Sequence, residues 1–384
     1  LVARLGRRLA GEWAGVFAAL LFACLPSAVL MPCLLLKPNL HMPLFCGMAL
    51  LLLRAGPGGI LRWFTIGFTG ALCALLRGNS LVLLFVFCAW SILSRPRGLP
   101  SFARCGSFLL GLGLILGPVA WRNHEVGGVW ALTTSGAGTN LYGGNHLGNL
   151  KGVATELPWV RGIPAHEADD WRHEAERRSG EELDPGEVSR YWLFETARSA
   201  IHNPGAHLAI LWNKLRATLG PYAVPDNHSL AWDARYVTAL RLPLPGFGVL
   251  AALGLAMCLT GLSIRSRRAV LFESEEAGQR SVLLLGLYLV TIVLTVTSMR
   301  ARIPLAVLLA PLAGAWIVSI YRKPSARSIL AVCATGAFVA WPVFNEAELA
   351  EDLAERDYNL IVHELSLGPP SEGTRARART LIAA

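Results

Sequence analysis

The sequence predicts an all-α polytopic membrane protein, a bundle of about nine transmembrane helices carrying a small, mainly helical extracytoplasmic domain. Three observations predict it. Hydrophobic residues make up 53% of the 384 positions and charged residues only 16%, whereas a soluble domain carries roughly a quarter charged. Trp13 to Leu36, Cys105 to Trp121, Leu242 to Ile264 and Ser281 to Met299 contain no charged residue, and each run is near the ~17 to 25 residues that cross a hydrocarbon core. The basic residues gather between alternate apolar runs, the pattern that sets topology.

Read in order, the apolar runs are 12–36, 40–53, 60–76, 80–94, 105–121, 243–263, 281–298, 303–321 and 328–344. The second and fourth are short, which tilting or partial re-entry would accommodate. With Leu1 on the cytoplasmic side, the inner loops collect Arg4, Arg7 and Arg8, then Arg54 and Arg62, then Arg95, Arg97 and Arg104. Arg265, Arg267, Arg268 and Arg280 follow, and finally Arg322, Lys323 and Arg327. This orientation divides the chain into an N-terminal bundle of about five spans (1–121), an extracytoplasmic loop domain (122–242), a C-terminal bundle of about four spans (243–344) and an extracytoplasmic tail (345–384).

Loop charge also accounts for the net +9 without a nucleic-acid partner. All eight cysteines lie in or beside apolar runs, with no CxxC pair, and read as small buried hydrophobes rather than a disulfide frame or zinc site. The opening LVARLGRRLAGEW reads as a cytoplasmic loop entering a helix, not as the flank of a signal peptide. We therefore expect further residues to precede Leu1.

Within 122–242, Asp184-Pro-Gly-Glu187 forms a capping box with proline at the first helical position, starting a helix that runs to about His202. Asn203-Pro204 repeats the device, and Gly220-Pro221 stops the second helix. That helix mixes Leu208, Leu211, Trp212 and Leu215 with Lys214 and Arg216, as a helix lying on a membrane surface does; packing on its own domain gives the same mixture. The stretch HEADDWRHEAERRSGEE places His166 and His173 on one face but lacks HExxH spacing, so it reads as a solvated helix with no metal site. Asn227-His-Ser229 matches a glycosylation sequon. The segment from Arg356 resembles a tetratricopeptide unit, and one such repeat cannot bury its own face.

The glycine-rich TTSGAGTNLYGGN has neither a P-loop pattern nor a GxGxxG following a strand. Its simplest reading is a tight, turn-rich connection, with Gly127-Gly128 and Gly143-Gly144 supplying positive φ and the asparagines bonding local backbone. Arg77, Arg122, Arg300 and Arg302, however, fall at the outer ends of spans, against the topology rule. Few carboxylates in the spans can pair with them, so a ligand phosphate or pyrophosphate is the expected partner. Snorkelling to lipid headgroups is the alternative.

The order of segments resembles the GT-C class of membrane glycosyltransferases, specifically the family-39 group related to protein O-mannosyltransferases and lipid A aminoarabinose transferases. Pro118 with Trp121-Arg122-Asn123 is similar to that group's PW-x-RN, Thr133-Thr134-Ser135-Gly136 to its T-x-G-G turn, and Asn140-Leu-Tyr-Gly-Gly-Asn145 to its NL-x-x-GN. NPGAHLAILWNKL and RARIPLAVLLAP match two further segments, and the resemblance covers roughly Leu1 to Tyr321.

The resemblance implies transfer of a sugar from a polyprenyl-phosphate carrier to a lipid, glycan or protein acceptor on the extracytoplasmic face of a bacterial cytoplasmic membrane, with inversion. Arg77, Arg122, Arg300 and Arg302 would neutralise the leaving phosphate. Asn123, Asn140, Tyr142, Asn145 and Lys214 would line the substrate site. The catalytic base would be an acidic residue of the first outer loop, expected upstream of Leu1, because the large loop follows the fifth span here and the seventh in the family. A second acidic position corresponds to Met42 in His41-Met42-Pro43-Leu44-Phe45. No cofactor is implied, and nothing in the sequence supports a divalent metal. The competing class is a non-enzymatic carrier of polyprenyl phosphate, flippase-like or a degenerate homologue, which would use the same outward arginines.

Overall fold

The computed structural model describes residues 1–34, 36–54, 58–93, 98–153, 157–161, 164–225, 229–242, 244–262, 275–344 and 372–383, with short pieces between 353 and 361. Arg95, Arg97, Arg265, Arg267, Arg268, Asn227 and His228 lie outside these residues, as does most of the segment compared with a tetratricopeptide unit. Among the described residues every regular element is a helix, and the one β feature is an isolated parallel bridge between Val153 and Thr297.

The helices are α1 (Val2–Ala10), α2 (Glu12–Ala23), α3 (Pro26–Leu30), α4 (Pro38–Leu52), α5 (Ile60–Leu76), α6 (Ser80–Leu93), α7 (Leu99–Gly127) and α8 (Ala137–Asn145). They continue as α9 (Pro164–Ser179), α10 (Pro185–His202), α11 (Pro204–Leu219), α12 (Leu230–Asp233), α13 (Phe247–Leu262), α14 (Glu275–Leu294), α15 (Met299–Arg322), α16 (Ala326–Ala340) and α17 (Glu372–Ala383). Among the described residues α7, α14 and α15 are long and apolar enough to cross a membrane, while α4, α5, α6, α13 and α16 are shorter apolar helices. Helical segments thus occur in each expected apolar run, but span length is reached by fewer of them.

The first run, expected as one span over 12–36, is broken. Pro26 has no N–H to continue the ladder and restricts Leu25 to an extended φ of −70° and ψ of 119°. The helices on either side of this break meet at 69°. The fifth run differs in the other direction. Helix α7 passes through Trp121-Arg122-Asn123 to Gly127 and ends only where Gly128 adopts φ 70°, the left-handed terminator that glycine supplies without strain. The boundary drawn at residue 121 therefore falls inside a continuous helix.

Helix α15 is the axis of the bundle, buried at nearly every position from Met299 to Ala315 and packed against α1, α2, α4, α13 and α14. Small residues permit these close crossings. A Cβ at Gly67 of α5 would lie 2.1 Å from the Phe108 carbonyl oxygen of α7, and one at Gly111 of α7 would lie 2.3 Å from that of Phe64. Each glycine is a notch for the partner backbone, the arrangement by which helices associate where no hydrophobic contrast drives them.

One end of the bundle is closed by arginines. Arg8 donates to the Leu50 carbonyl, and Arg280 donates to Leu52 at 2.9 Å and to Arg54. Arg62 donates to the Arg54 carbonyl at 2.9 Å. Leu50 and Leu52 sit in the last turn of α4, whose carbonyls have no partner within the helix and carry the negative end of its dipole. Arg104 likewise donates to the Ser91 carbonyl at 3.3 Å in the last turn of α6, and to Ser101 Oγ at 3.0 Å.

At the other end lie α8 to α12. The capping box appears as read: Asp184 Oδ1 accepts from the Gly186 and Glu187 N–H groups at 2.7 and 2.8 Å, and the Asp184 N–H donates to Glu187 at 3.0 Å. Asn203 precedes Pro204 of α11 but makes no side-chain cap. Helix α9 carries exposed His166 and His173, and Arg177 and Arg178 bond Glu174 at 2.7 and 2.8 Å. Trp171 and Ala175 turn inward to join Leu157, Val188 and Trp192 in a separate small core.

Candidate functional site

Beyond Gly128 the chain turns back along α7. Asn123 Nδ2 fixes the return by donating to the carbonyls of Ala131 at 2.8 Å and Thr133 at 3.2 Å, and His124 stacks on Trp130 with centroids 4.4 Å apart. Thr133, Thr134 and Ser135 thereby face the last turns of α7. With Arg122, Asn123 and Pro185 they line an open cleft of about 320 Å³.

Arg77 ends α5 on the same side. A Cβ at the following Gly78 would lie 3.6 Å from Thr133 Oγ1, so the Arg77–Asn79 turn abuts the wall of the cleft. Arg122 is exposed and Arg77 half-buried, and neither guanidinium has a hydrogen-bond or ion-pair partner among the described residues. Arg122 thus lines the cleft beside Thr133, while Arg77 stands behind its wall, with its charge felt at His41 and Tyr288.

Arg302 is employed differently. It is 2% exposed, donates to the Gly220 and Tyr222 carbonyls and stands 4.1 Å over the Phe247 ring. It secures the end of α11 to the start of α15 and offers no open face to an anion. Arg300 is half-buried in the first turn of α15.

The expected substrate residues divide into three groups. Asn123 and Asn140 brace local backbone, Asn140 by donating to the Gly136 carbonyl at 2.7 Å within the first turn of α8. Tyr142 belongs to the small core, tilted against Trp192 at 4.5 Å, with its hydroxyl accepting from Arg178 at 3.4 Å. Asn145 and Lys214 come together. Lys214 is fully buried, its Nζ donating to Asn145 Oδ1 at 2.8 Å and to the Thr295 carbonyl at 2.5 Å. Asn145 Nδ2 in turn donates to the Leu141 and Leu294 carbonyls at 2.7 and 2.9 Å. Burial lowers the Lys214 amine to about 7, and burial together with Lys214 lowers the nearby His207.

Two glycines expected to turn the chain instead lie inside α8. Gly143 and Gly144 are helical, and Gly144 is required by proximity: a Cβ there would lie 2.1 Å from the Thr295 carbonyl oxygen. Gly152, by contrast, has φ 71° and packs on Lys214.

A second polar cluster lies below the Arg77–Asn79 turn, and the sequence reading did not single it out as a site. His41 of α4 is 0% exposed, with Nε2 3.3 Å from Ser80 Oγ and its ring stacked on Phe45 at 5.6 Å. Asn79 Nδ2 donates to Thr291 Oγ1 at 3.3 Å. His41 Nδ1 and Asn79 Oδ1 are enclosed with no hydrogen-bond partner among the described residues, a condition that costs about 1–3 kcal/mol per group. Arg77 acts electrostatically on both His41 and Tyr288. Met42, at the position where an acid was expected, packs instead with the apolar cluster of Leu30, Met31, Met299 and Ile303. The signal available in the sequence was one histidine and one asparagine bordering otherwise apolar runs.

Among the described residues no group of three or more His, Cys, Asp or Glu side chains converges. Cys88 and Cys105 approach to 3.6 Å as free thiols, while Cys33 and Cys333 are exposed rather than buried. Compared with protein families, characterised proteins and solved structures, the chain matches none.

Proposed function

We propose that this chain is an integral membrane protein that binds a polyprenyl-phosphate-linked sugar and transfers the sugar to an acceptor on the extracytoplasmic face. The observation that carries this reading is Arg122, lining an open cleft with Thr133 while the Arg77–Asn79 turn abuts its wall, neither guanidinium having a partner among the described residues. Cations held at a water-poor rim bind a phosphate group strongly, because guanidinium donors match its oxygens and low dielectric strengthens the attraction. The resemblance to family-39 transferases in the Trp121–Asn145 and Asn203–Leu215 segments supplies the reaction. In this reading all nine apolar runs cross a bacterial cytoplasmic membrane, the shorter helices being accommodated by local thinning.

The chemistry is a displacement at the anomeric carbon. The acceptor hydroxyl oxygen forms the new bond, the bond to the phosphate oxygen breaks on the opposite face, and configuration inverts. The hydroxyl proton passes to a base, a role that an acidic residue of the outer loop fills in the resembling family. The departing polyprenyl phosphate gains negative charge, and Arg77 and Arg122 stabilise it where that charge develops.

A carrier that binds the same lipid without transferring its sugar is the second reading, favoured by Met42 facing apolar neighbours where an acid was expected. Reconstitution of the full-length protein with a radiolabelled polyprenyl-phosphate sugar separates the two. Transfer that falls in Arg77→Ala and Arg122→Ala supports the phosphate clamp. Equal activity in Arg77→Ala, Arg122→Ala and Arg300→Ala sinks it, and translocation without transfer favours the carrier.

A further inference from the structure

We infer that the cluster formed by His41, Asn79 and Arg77 is the subsite for the sugar of a sugar-phosphate headgroup, with the phosphate at Arg77 and sugar hydroxyls at His41 and Asn79. This rests on the proposal that Arg77 receives the donor phosphate. The three groups come from separate elements, α4, the α5–α6 turn and the end of α5, and each carries a polar atom or charge with no hydrogen-bond partner among the described residues. His41 is held by Ser80 and Phe45, and Asn79 by Thr291 and the Tyr288 side chain, which fixes both residues in place.

The unused atoms specify the ligand. Asn79 Oδ1 only accepts, so it requires a donor such as a hydroxyl. His41 Nδ1 donates or accepts according to tautomer, and a Ser80 hydroxyl donating to Nε2 leaves an N–H at Nδ1 for a ligand oxygen. A guanidinium beside them adds a cation with planar donors suited to phosphate. A simple phosphate would satisfy Arg77 and leave Asn79 Oδ1 unpaired, whereas a sugar phosphate supplies both the anion and the hydroxyl donors. Tyr288 closes one side: its ring lies 5.0 Å from that of Phe45, its hydroxyl donates to the Ala301 carbonyl at 3.4 Å, and it also meets the Asn79 amide.

The test uses the full-length protein in lipid nanodiscs and ten-carbon prenyl phosphates, either bare or carrying glucose, mannose or 4-aminoarabinose. Binding is read by isothermal titration. The wild type should bind at least one sugar-bearing probe tenfold or more tightly than the bare prenyl phosphate. His41→Phe and Asn79→Leu should each erase that advantage while leaving affinity for the bare probe within twofold, and Arg77→Gln should weaken both. Should either variant fail to give a monodisperse preparation, His41→Gln and Asn79→Ala carry the same comparison. Equal binding of bare and sugar-bearing probes by the wild type, or a full sugar advantage in the His41 and Asn79 variants, overturns the inference. A transfer assay on the same preparations keeps the two ideas apart. Sugar-dependent binding without transfer removes the enzyme and keeps the subsite; transfer with a sugar advantage indifferent to His41 and Asn79 does the reverse.

Discussion

The two ends of the bundle use arginine in opposite ways. At one end Arg8, Arg62, Arg104 and Arg280 donate to carbonyls in or just beyond the last turns of α4 and α6, so their charge completes helices. At the other end Arg77 and Arg122 donate to nothing in the described chain. The same residue type bonds helix C-terminal carbonyls at the first end, whereas at the second Arg77 and Arg122 stand near the ends of α5 and α7 without bonding them. Arg302 shows that the second end follows the same physics, because the Gly220 and Tyr222 carbonyls engage it.

The sharpest way to break this contrast is Lys214→Ala in the second end. It removes a fully buried side chain and leaves Asn145 Oδ1 and the Thr295 carbonyl short of a donor. We expect a loss on the order of 3 kcal/mol, visible as a large fall in the thermal midpoint of the detergent-solubilised protein. Arg302→Leu should follow at about 2 kcal/mol, since it leaves two carbonyls unbonded while keeping an apolar contact with Phe247. A midpoint unchanged in Arg302→Leu would return this arginine to the list of ligand-binding cations.

Protonation of Lys214 gives the next effect. Its amine titrates near 7 in the folded chain and near about 10.4 in an unfolded one. Between these values the unfolded chain holds a proton that the folded chain lacks, so stability rises with pH, by at most about 1.4 kcal/mol per unit. Below pH 7 this contribution is flat. The lowered His207 acts only below its ordinary value of about 6.5, and thiols begin to titrate near about 8.5, so the window from about pH 7 to 8 isolates the lysine. Lys214→Met should flatten the slope of the thermal midpoint across that window.

At the first end Arg280→Gln should destabilise by about 1 kcal/mol through lost bonds to Leu52 and Arg54. Arg77→Ala and Arg122→Ala should change stability by less than about 0.5 kcal/mol, although we expect them to reduce transfer. A large loss of stability in either one would mean that it has a structural partner, and the contrast between the ends would fail.

Much of this arrangement was legible in the sequence wherever the cause is local. The Asp184–Glu187 box, the stop at Gly220-Pro221 and the apolar runs all depend on neighbours within one turn, and helices appear there. Pro26 was equally visible, yet an uninterrupted run of uncharged residues outweighed it in the reading, and the chain bends at that point. What could not be read was set by distant backbone. Gly144 is fixed by Thr295, Lys214 by Asn145, and Arg302 by the end of α11. The sequence also allowed α11 either to lie on a membrane surface or to pack on its own domain. Leu208 and Trp212 are exposed as the first requires, but its lysine points into the protein.

The break between α14 and α15 has a mechanical consequence. Thr295 accepts from Lys214, Thr297 bridges to Val153 and meets Thr218 Oγ1 at 2.9 Å, and the Met299 N–H donates to the Val224 carbonyl at 2.8 Å. A short connection therefore serves as the common anchorage for three separate stretches of the middle region. Any tilt of α14 against α15 pulls on all of them together, so the middle region and the last helices should open as one cooperative unit.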